Sequence, residues 1–218
     1  MSIAASRLQT IRDDIAAAAK LAQRGASGVT LIAVSKTREA ADIEPLIAAG
    51  QRHFGESRVQ EAQGKWPLLL ERHSGITLHC IGRLQSNKAA EAVRLFDVVH
   101  SLDRPSLLAA LVAEAEKQDR RPSVYVQVNI GEEEQKGGCA IDDVGELVAA
   151  VRASPLPLAG LMAIPPLGVE PAPFFALLAE LARRHDVTGL SMGMSSDYRA
   201  AVMLGATAVR VGTALFED

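Results

Sequence analysis

The sequence predicts a closed (β/α)8 barrel of the TIM type, with one extra helix at its N-terminus, spanning residues 1–218 as a single domain. Three observations carry this. Short apolar or β-branched runs alternate with longer helical stretches along the whole chain, and β followed by α repeatedly implies parallel strands joined by crossover helices. Eight such runs fit the chain, which is a little shorter than the usual barrel of about 250 residues. The runner-up, an open doubly wound sheet, is disfavoured because the first strand leads into Ser35-Lys36-Thr37 rather than a GxGxxG turn.

The elements follow in order. Leu8, Ile11, Ile15, Ala18, Ala19 and Ala22 recur at helical spacing and predict an amphipathic first helix packed on the domain. The strands are expected at residues 29–36, 52–55, 77–82, 98–102, 124–130, 158–164, 189–194 and 208–212. Helical patterns fall between them, for example at 43–49, 106–117, 144–153 and 174–184. The glycine-containing segment 131–138 and the Pro/Gly-rich segment 165–173 read as loops after the fifth and sixth strands. Ser195 or Ser196 is expected to cap a helix through Tyr198 to Leu204, with Asp197 in its first turn.

The composition excludes several classes of function. With 48% hydrophobic and 22% charged residues the chain has an ordinary globular balance. A net charge of -3 gives no reason to expect nucleic acid or an acidic membrane surface as a partner. No apolar run approaches the roughly 20 residues of a membrane span, and the N-terminus has no apolar core of a secretion signal. Cys80 and Cys139 form no CxxC pair, so a cytoplasmic setting with reduced thiols is expected. His53, His73, His79, His100 and His185 show no metal-ligand spacing. His79 and His100 fall in strands, where packed, hydrogen-bonded histidines are expected.

Chemistry is expected at the C-terminal ends of the strands. Lys36 closes the first, over the barrel mouth. Partial desolvation there would favour the neutral amine that attacks an aldehyde; the plain alternative is a lysine that ends a strand and reaches into water. The seventh strand leads to Met194 and Ser195, and the eighth to Arg210, Gly212 and Thr213. Loops after strands seven and eight commonly hold phosphate, through backbone N–H groups and hydroxyls. A lysine on strand one with this cradle implies a ligand carrying a carbonyl at one end and a phosphate at the other. Pyridoxal phosphate and phosphosugars both satisfy that pattern. Arg210 on the last strand either faces a pyridine nitrogen, keeping it unprotonated, or makes an ion pair on the barrel wall.

These residues sit in a recognisable series. Ala33-Val34-Ser35-Lys36-Thr37, Phe54-Gly55-Glu56-Ser57-Arg58-Val59-Gln60-Glu61, His79-Cys80-Ile81-Gly82-Arg83-Leu84-Gln85-Ser86-Asn87-Lys88, Gly160-Leu161-Met162-Ala163-Ile164-Pro165, Leu190-Ser191-Met192-Gly193-Met194-Ser195 and Arg210-Val211-Gly212-Thr213-Ala214 occur in that order. From about Leu31 onward the chain resembles the pyridoxal phosphate homeostasis protein family, related to the barrel domain of alanine racemase. The resemblance implies pyridoxal 5'-phosphate held covalently as a Schiff base on Lys36. It places Ser195, Gly212 and Thr213 around the phosphate, Arg210 near the pyridine nitrogen, and Ser57 and Met194 in the pocket. Lys88 and Lys136 also match family patterns near the mouth, where basic groups could receive a phosphorylated B6 vitamer. Ser57-Arg58 stands where the family usually has Asn-Tyr, so Ser57 reaches less far or acts through a water. Arg83 replaces a proline after Ile81-Gly82, and the loop at 165–173 is short.

The resemblance implies a non-catalytic carrier that serves intracellular pyridoxal phosphate homeostasis, with apo-enzymes that use this cofactor as possible recipients. The alternatives are an amino-acid racemase and a Schiff-base aldolase. Racemisation needs an acid/base group on each face of the cofactor. Lys36 serves one. In alanine racemase the other comes from a second domain, which is not expected here because the eighth strand ends just before Asp218. Tyr198 is the one candidate substitute, since Tyr125 is expected below the mouth. Without the dimer-building domain a monomer is expected.

Overall fold

The computed structural model describes residues 2–216. Met1, Glu217 and Asp218, which the expected domain includes, lie outside the described residues. The chain opens with α1 (Ile3–Leu21), then runs β1 (Thr30–Val34), α2 (Ala40–Ala48), β2 (His53–Glu56), α3 (Val59–Arg72), β3 (Thr77–Cys80), α4 (Ala89–Leu95) and β4 (Val98–Leu102). The second half continues with α5 (Pro105–Gln118), β5 (Ser123–Gln127), α6 (Val144–Arg152), β6 (Leu158–Met162), α7 (Ala172–Arg184), β7 (Leu190–Ser191), α8 (Tyr198–Met203), β8 (Ala208–Val211) and α9 (Thr213–Phe216). The eight strands are parallel and close in sequence order, with β8 pairing β1 in the register Ile32↔Arg210. This is the predicted barrel, and α1 is the predicted extra helix.

Alternation along the strands separates two layers. On β2, Phe54 and Glu56 face outward: Phe54 packs against Trp66 of α3 at 5.1 Å and Glu56 accepts a hydrogen bond from its indole. Gly55 faces inward, where an added Cβ would lie 3.0 Å from Ile32. The outer layer is the apolar core, with Trp66, Phe96 and Phe175 fully buried. The inner layer is unusually polar, holding His79, His100, Ser191 and Arg210, all buried. On α1, Leu8, Ile11, Ile15, Ala18 and Ala19 are buried as predicted, and Ala22 is the C-cap.

Several strand ends fall earlier than expected. β1 stops at Val34, although the Ser35 N–H still donates to Gly55 O; Thr37 then takes a left-handed φ of 62° and the chain turns. β5 stops at Gln127, and Val128 bridges instead to Cys139 in the following loop. β7 is two residues long because Gly193 has φ 92° and α8 crosses so closely that a Cβ would meet Ala201 at 2.5 Å. The cap of α8 is also different. Asp197 is the N-cap and accepts from the Met194 N–H at 2.5 Å, which leaves Ser195 free for another partner.

Candidate cofactor cavity

The site is built from the ends of the strands. A cavity of about 760 Å³ opens at their C-terminal end, within the size range of small-molecule sites. Lys36, Ser57, Met194, Ser195, Arg210, Gly212 and Thr213 all line it, so the structure brings every predicted cofactor residue together. Val34, Ile81 and Ile164 supply apolar wall.

Lys36 sits two residues beyond β1, on the exposed rim of the cavity. Its side chain is exposed there rather than partly desolvated as expected, and the chain turns just beyond it at Thr37. The turn itself is held from below. Lys65 Nζ donates to Ser35 O at 2.7 Å and Arg38 O at 2.9 Å, and Glu61 accepts the Thr37 N–H at 2.5 Å. Lys65 also pairs with Glu61 at 2.9 Å and Glu56 at 3.0 Å, and Glu56 accepts from Ser35 Oγ at 2.6 Å. These supporting residues were missed in the sequence; the only local signal was the i,i+4 spacing of Glu61 and Lys65 on one helix.

At the other side, the Gly212 N–H donates to Ser195 Oγ at 3.2 Å, which ties the loop after β7 to the loop after β8. With Ser196 and Thr213 beside it, this forms a cluster of hydroxyls and backbone N–H around the mouth. Gly212 lies close to β1, so a Cβ there would stand 3.3 Å from Val34. The donor set suits a dianionic phosphate and the lysine amine suits a carbonyl, so the residues present fit pyridoxal phosphate.

Arg210 reaches the cavity from within the barrel. Its Nη1 donates to Ser191 Oγ at 2.5 Å and its Nη2 to Ala163 O at 3.1 Å. Among the described residues both hydrogen-bond partners are neutral, so the alternative of an ion pair on the barrel wall is not seen there. Burial lowers its pKa to about 10, so the guanidinium stays charged at neutral pH.

Lys136 lines a second hollow of about 320 Å³ that shares Ser57, Ile81 and Ile164 with the first. It is paired with Glu133 and donates to Pro165 O at 3.2 Å. Lys88 pairs with Glu91 at 3.0 Å and does not line either hollow. Tyr198 is also placed elsewhere. Its hydroxyl donates to Asp14 of α1 at 2.6 Å, on the outer layer, so it does not line the cavity as a second acid/base group would. Tyr125 lies inside the barrel, stacked on His100 at 4.4 Å between ring centres.

The family described as alanine racemase, N-terminal domain, matches residues 7–218. The chain is 39% identical to the pyridoxal phosphate homeostasis protein of Escherichia coli strain K12, over 99% of this chain and 97% of the relative. It is 40% identical to that of Pseudomonas aeruginosa, over 99% and 96%. The chain belongs to the pyridoxal phosphate homeostasis protein family. Among solved structures, PipY of Synechococcus elongatus with pyridoxal phosphate bound is 41% identical, with a TM-score of 0.84 over 98% of this chain and 99% of PipY. Within this member of the pyridoxal phosphate homeostasis proteins, the Ser57 departure sits at a close backbone approach. Gly82 packs so closely on Ser57 that a Cβ would fall 2.1 Å from its carbonyl oxygen.

Proposed function

We propose that this chain, as a single 1–218 domain, binds pyridoxal 5'-phosphate and serves its intracellular homeostasis without itself catalysing a reaction. The observation that carries this is the convergence of Lys36, Arg210 and the Ser195–Gly212–Thr213 cluster on one cavity, in a chain 41% identical to a relative seen with pyridoxal phosphate bound. In this reading Lys36 Nζ is the covalent attachment point. Ser195, Gly212 and Thr213 hold the phosphate, Arg210 presents N–H to the ring nitrogen, and Ser57 and Met194 flank the ring. The cofactor supplies an aldehyde for capture and a ring that can draw electrons from the captured amine. A charged Arg210 offers that ring nitrogen a donor but no proton, which weakens the draw. The exposed position of Lys36 lets the amine meet incoming cofactor and lets water reach the linkage, as loading and release both need. The placement of Tyr198 on Asp14 supports the non-catalytic reading over a racemase.

The ligands are pyridoxal phosphate and related B6 vitamers, with apo-enzymes as recipients, and the protein works as a cytoplasmic monomer. Two free, buried cysteines are compatible with a reducing compartment, and no helix among the described residues is long and apolar enough to cross a membrane. The test is absorption of the loaded wild type and Lys36→Ala, before and after borohydride. A visible band in wild type alone, with borohydride fixing the cofactor to the Lys36 peptide, is expected. Equal trapping in Lys36→Ala would overturn the assignment. Alanine racemisation that depends on Lys36 would overturn the non-catalytic reading.

A further inference from the structure

Three inward-facing histidines form a file across the barrel interior that the cavity residues alone do not use. His53 Nδ1 lies 3.1 Å from His79 Nε2, and His79 Nδ1 lies 2.9 Å from His100 Nε2. His100 Nδ1 lies 2.9 Å from Ser191 Oγ, which receives Arg210 Nη1. β4 and β7 are not neighbours in the strand order, so the His100–Ser191 bond spans the lumen. The file begins at the cofactor cavity with Arg210. It ends at His53, on the wall of a separate hollow of about 450 Å³ at the N-terminal ends of the strands.

The direction of every bond in this file follows from one end. A guanidinium only donates, so Ser191 Oγ accepts from Arg210. Ser191 is fully buried, and among the described residues His100 is its only other side-chain partner, so its single hydrogen goes to His100 Nδ1. A neutral imidazole that accepts at Nδ1 carries its hydrogen at Nε2. That hydrogen is given to His79 Nδ1, and the same reasoning sets the hydrogen of His79 on Nε2 and gives it to His53 Nδ1. Burial keeps the rings neutral: His79 is held down to about 3, and His100 well below the usual histidine range, by desolvation first and then by its charged or titrating neighbours. We propose that Ser191, His100, His79 and His53 are positioning residues for Arg210, a one-directional relay of three neutral Nε2–H imidazoles that aims the guanidinium at the cavity. The relay keeps the Ser191 lone pair turned toward Arg210, and it ties that orientation to the opposite face of the barrel. Other groups facing the file are Tyr125 stacked on His100, Asp197 acting on Arg210, and Arg12 and Arg52 on the wall around His53.

The relay's meaning for the ring nitrogen rests on the function proposed above, but its geometry does not. It is tested by nitrogen-15 NMR of histidine side chains in the full-length protein without added cofactor. The expected spectrum has His53, His79 and His100 as neutral Nε2–H tautomers near neutral pH. An Nδ1–H tautomer or an imidazolium on any of the three overturns the relay. Ser191→Ala removes the link that sets the direction, so His100 and His79 should show mixed tautomers. Ser191→Thr keeps the hydroxyl and should restore the wild-type pattern. An unchanged pattern in Ser191→Ala would refute direction from Arg210. If wild type also fails to trap the cofactor on Lys36, the proposed function falls while the tautomer result stands by itself.

Discussion

Lys65 carries more of the site than its distance from the cavity suggests. Its side chain is 8% exposed, and its ammonium is shared among Ser35 O, Arg38 O, Glu61 and the fully buried Glu56. Removing one member of a buried pair leaves an uncompensated charge, which costs about 3–5 kcal/mol. Lys65→Met is therefore expected to lower stability by about that amount in urea unfolding, and Lys65→Met with Glu56→Gln should recover part of it. A loss below about 1 kcal/mol would show that solvent reaches the pair in solution. The residues of the cavity itself were legible because they sit at strand ends, where barrel chemistry collects. Lys65 and Glu56 were not, because a buried ion pair contributed by a helix and the outward face of a strand leaves no spacing rule. The exposure of Lys36 was illegible for a related reason: β1 ends at Val34, before Lys36, and the left-handed residue just beyond it is Thr37, which carries no turn signature.

At the scale of elements, strand existence was readable and strand length was not. Apolar runs mark all eight strands, but the loops continue the same composition, so in residues 192–194 only Gly193 signals that β7 is finished. Packing decided it, through the approach of α8 at Gly193. The α1–α8 contact has its own signature in pH. Burial, and then the Asp14 carboxylate, push the Tyr198 phenol up to about 12, so this contact contributes stability that is fully present below about pH 10. That contribution is lost as pH rises through about 12, at up to about 1.4 kcal/mol per pH unit. Tyr198→Phe should flatten the alkaline limb of the stability curve relative to wild type. Parallel curves for the two proteins between pH 10 and 12 would refute the coupling.

The whole molecule has a polar interior inside an apolar shell, and its acid response follows from that. Burial lowers the pKa of His53, His79 and His100, so each favours folding above the unfolded value of about 6.5. That stability is lost as pH falls, for His79 down to about 3. Unfolding free energies from urea titration should decline already between pH 6.5 and 5, above the range in which carboxylates titrate, by up to about 1.4 kcal/mol per pH unit for each of the buried His79 and His100 and by less for the half-exposed His53. A flat profile over that interval would contradict neutral buried rings. Residue patterning could predict that His79 and His100 are packed, but not that they bond to one another, because their contact comes from the stagger of strands around the closed wall. Closure has a further consequence, in time rather than in energy. The β1–β8 seam and the clasp over it join segments far apart in sequence: Arg24 donates to Val202 O across 178 residues, and Tyr198 to Asp14 across 184. Contacts that distant form slowly, since the intervening chain must be ordered before they are rewarded. The seam should be the last part of the wall to form, and α1, whose buried face packs on the C-terminal helices, would dock only when the C-terminal quarter has arrived to receive it.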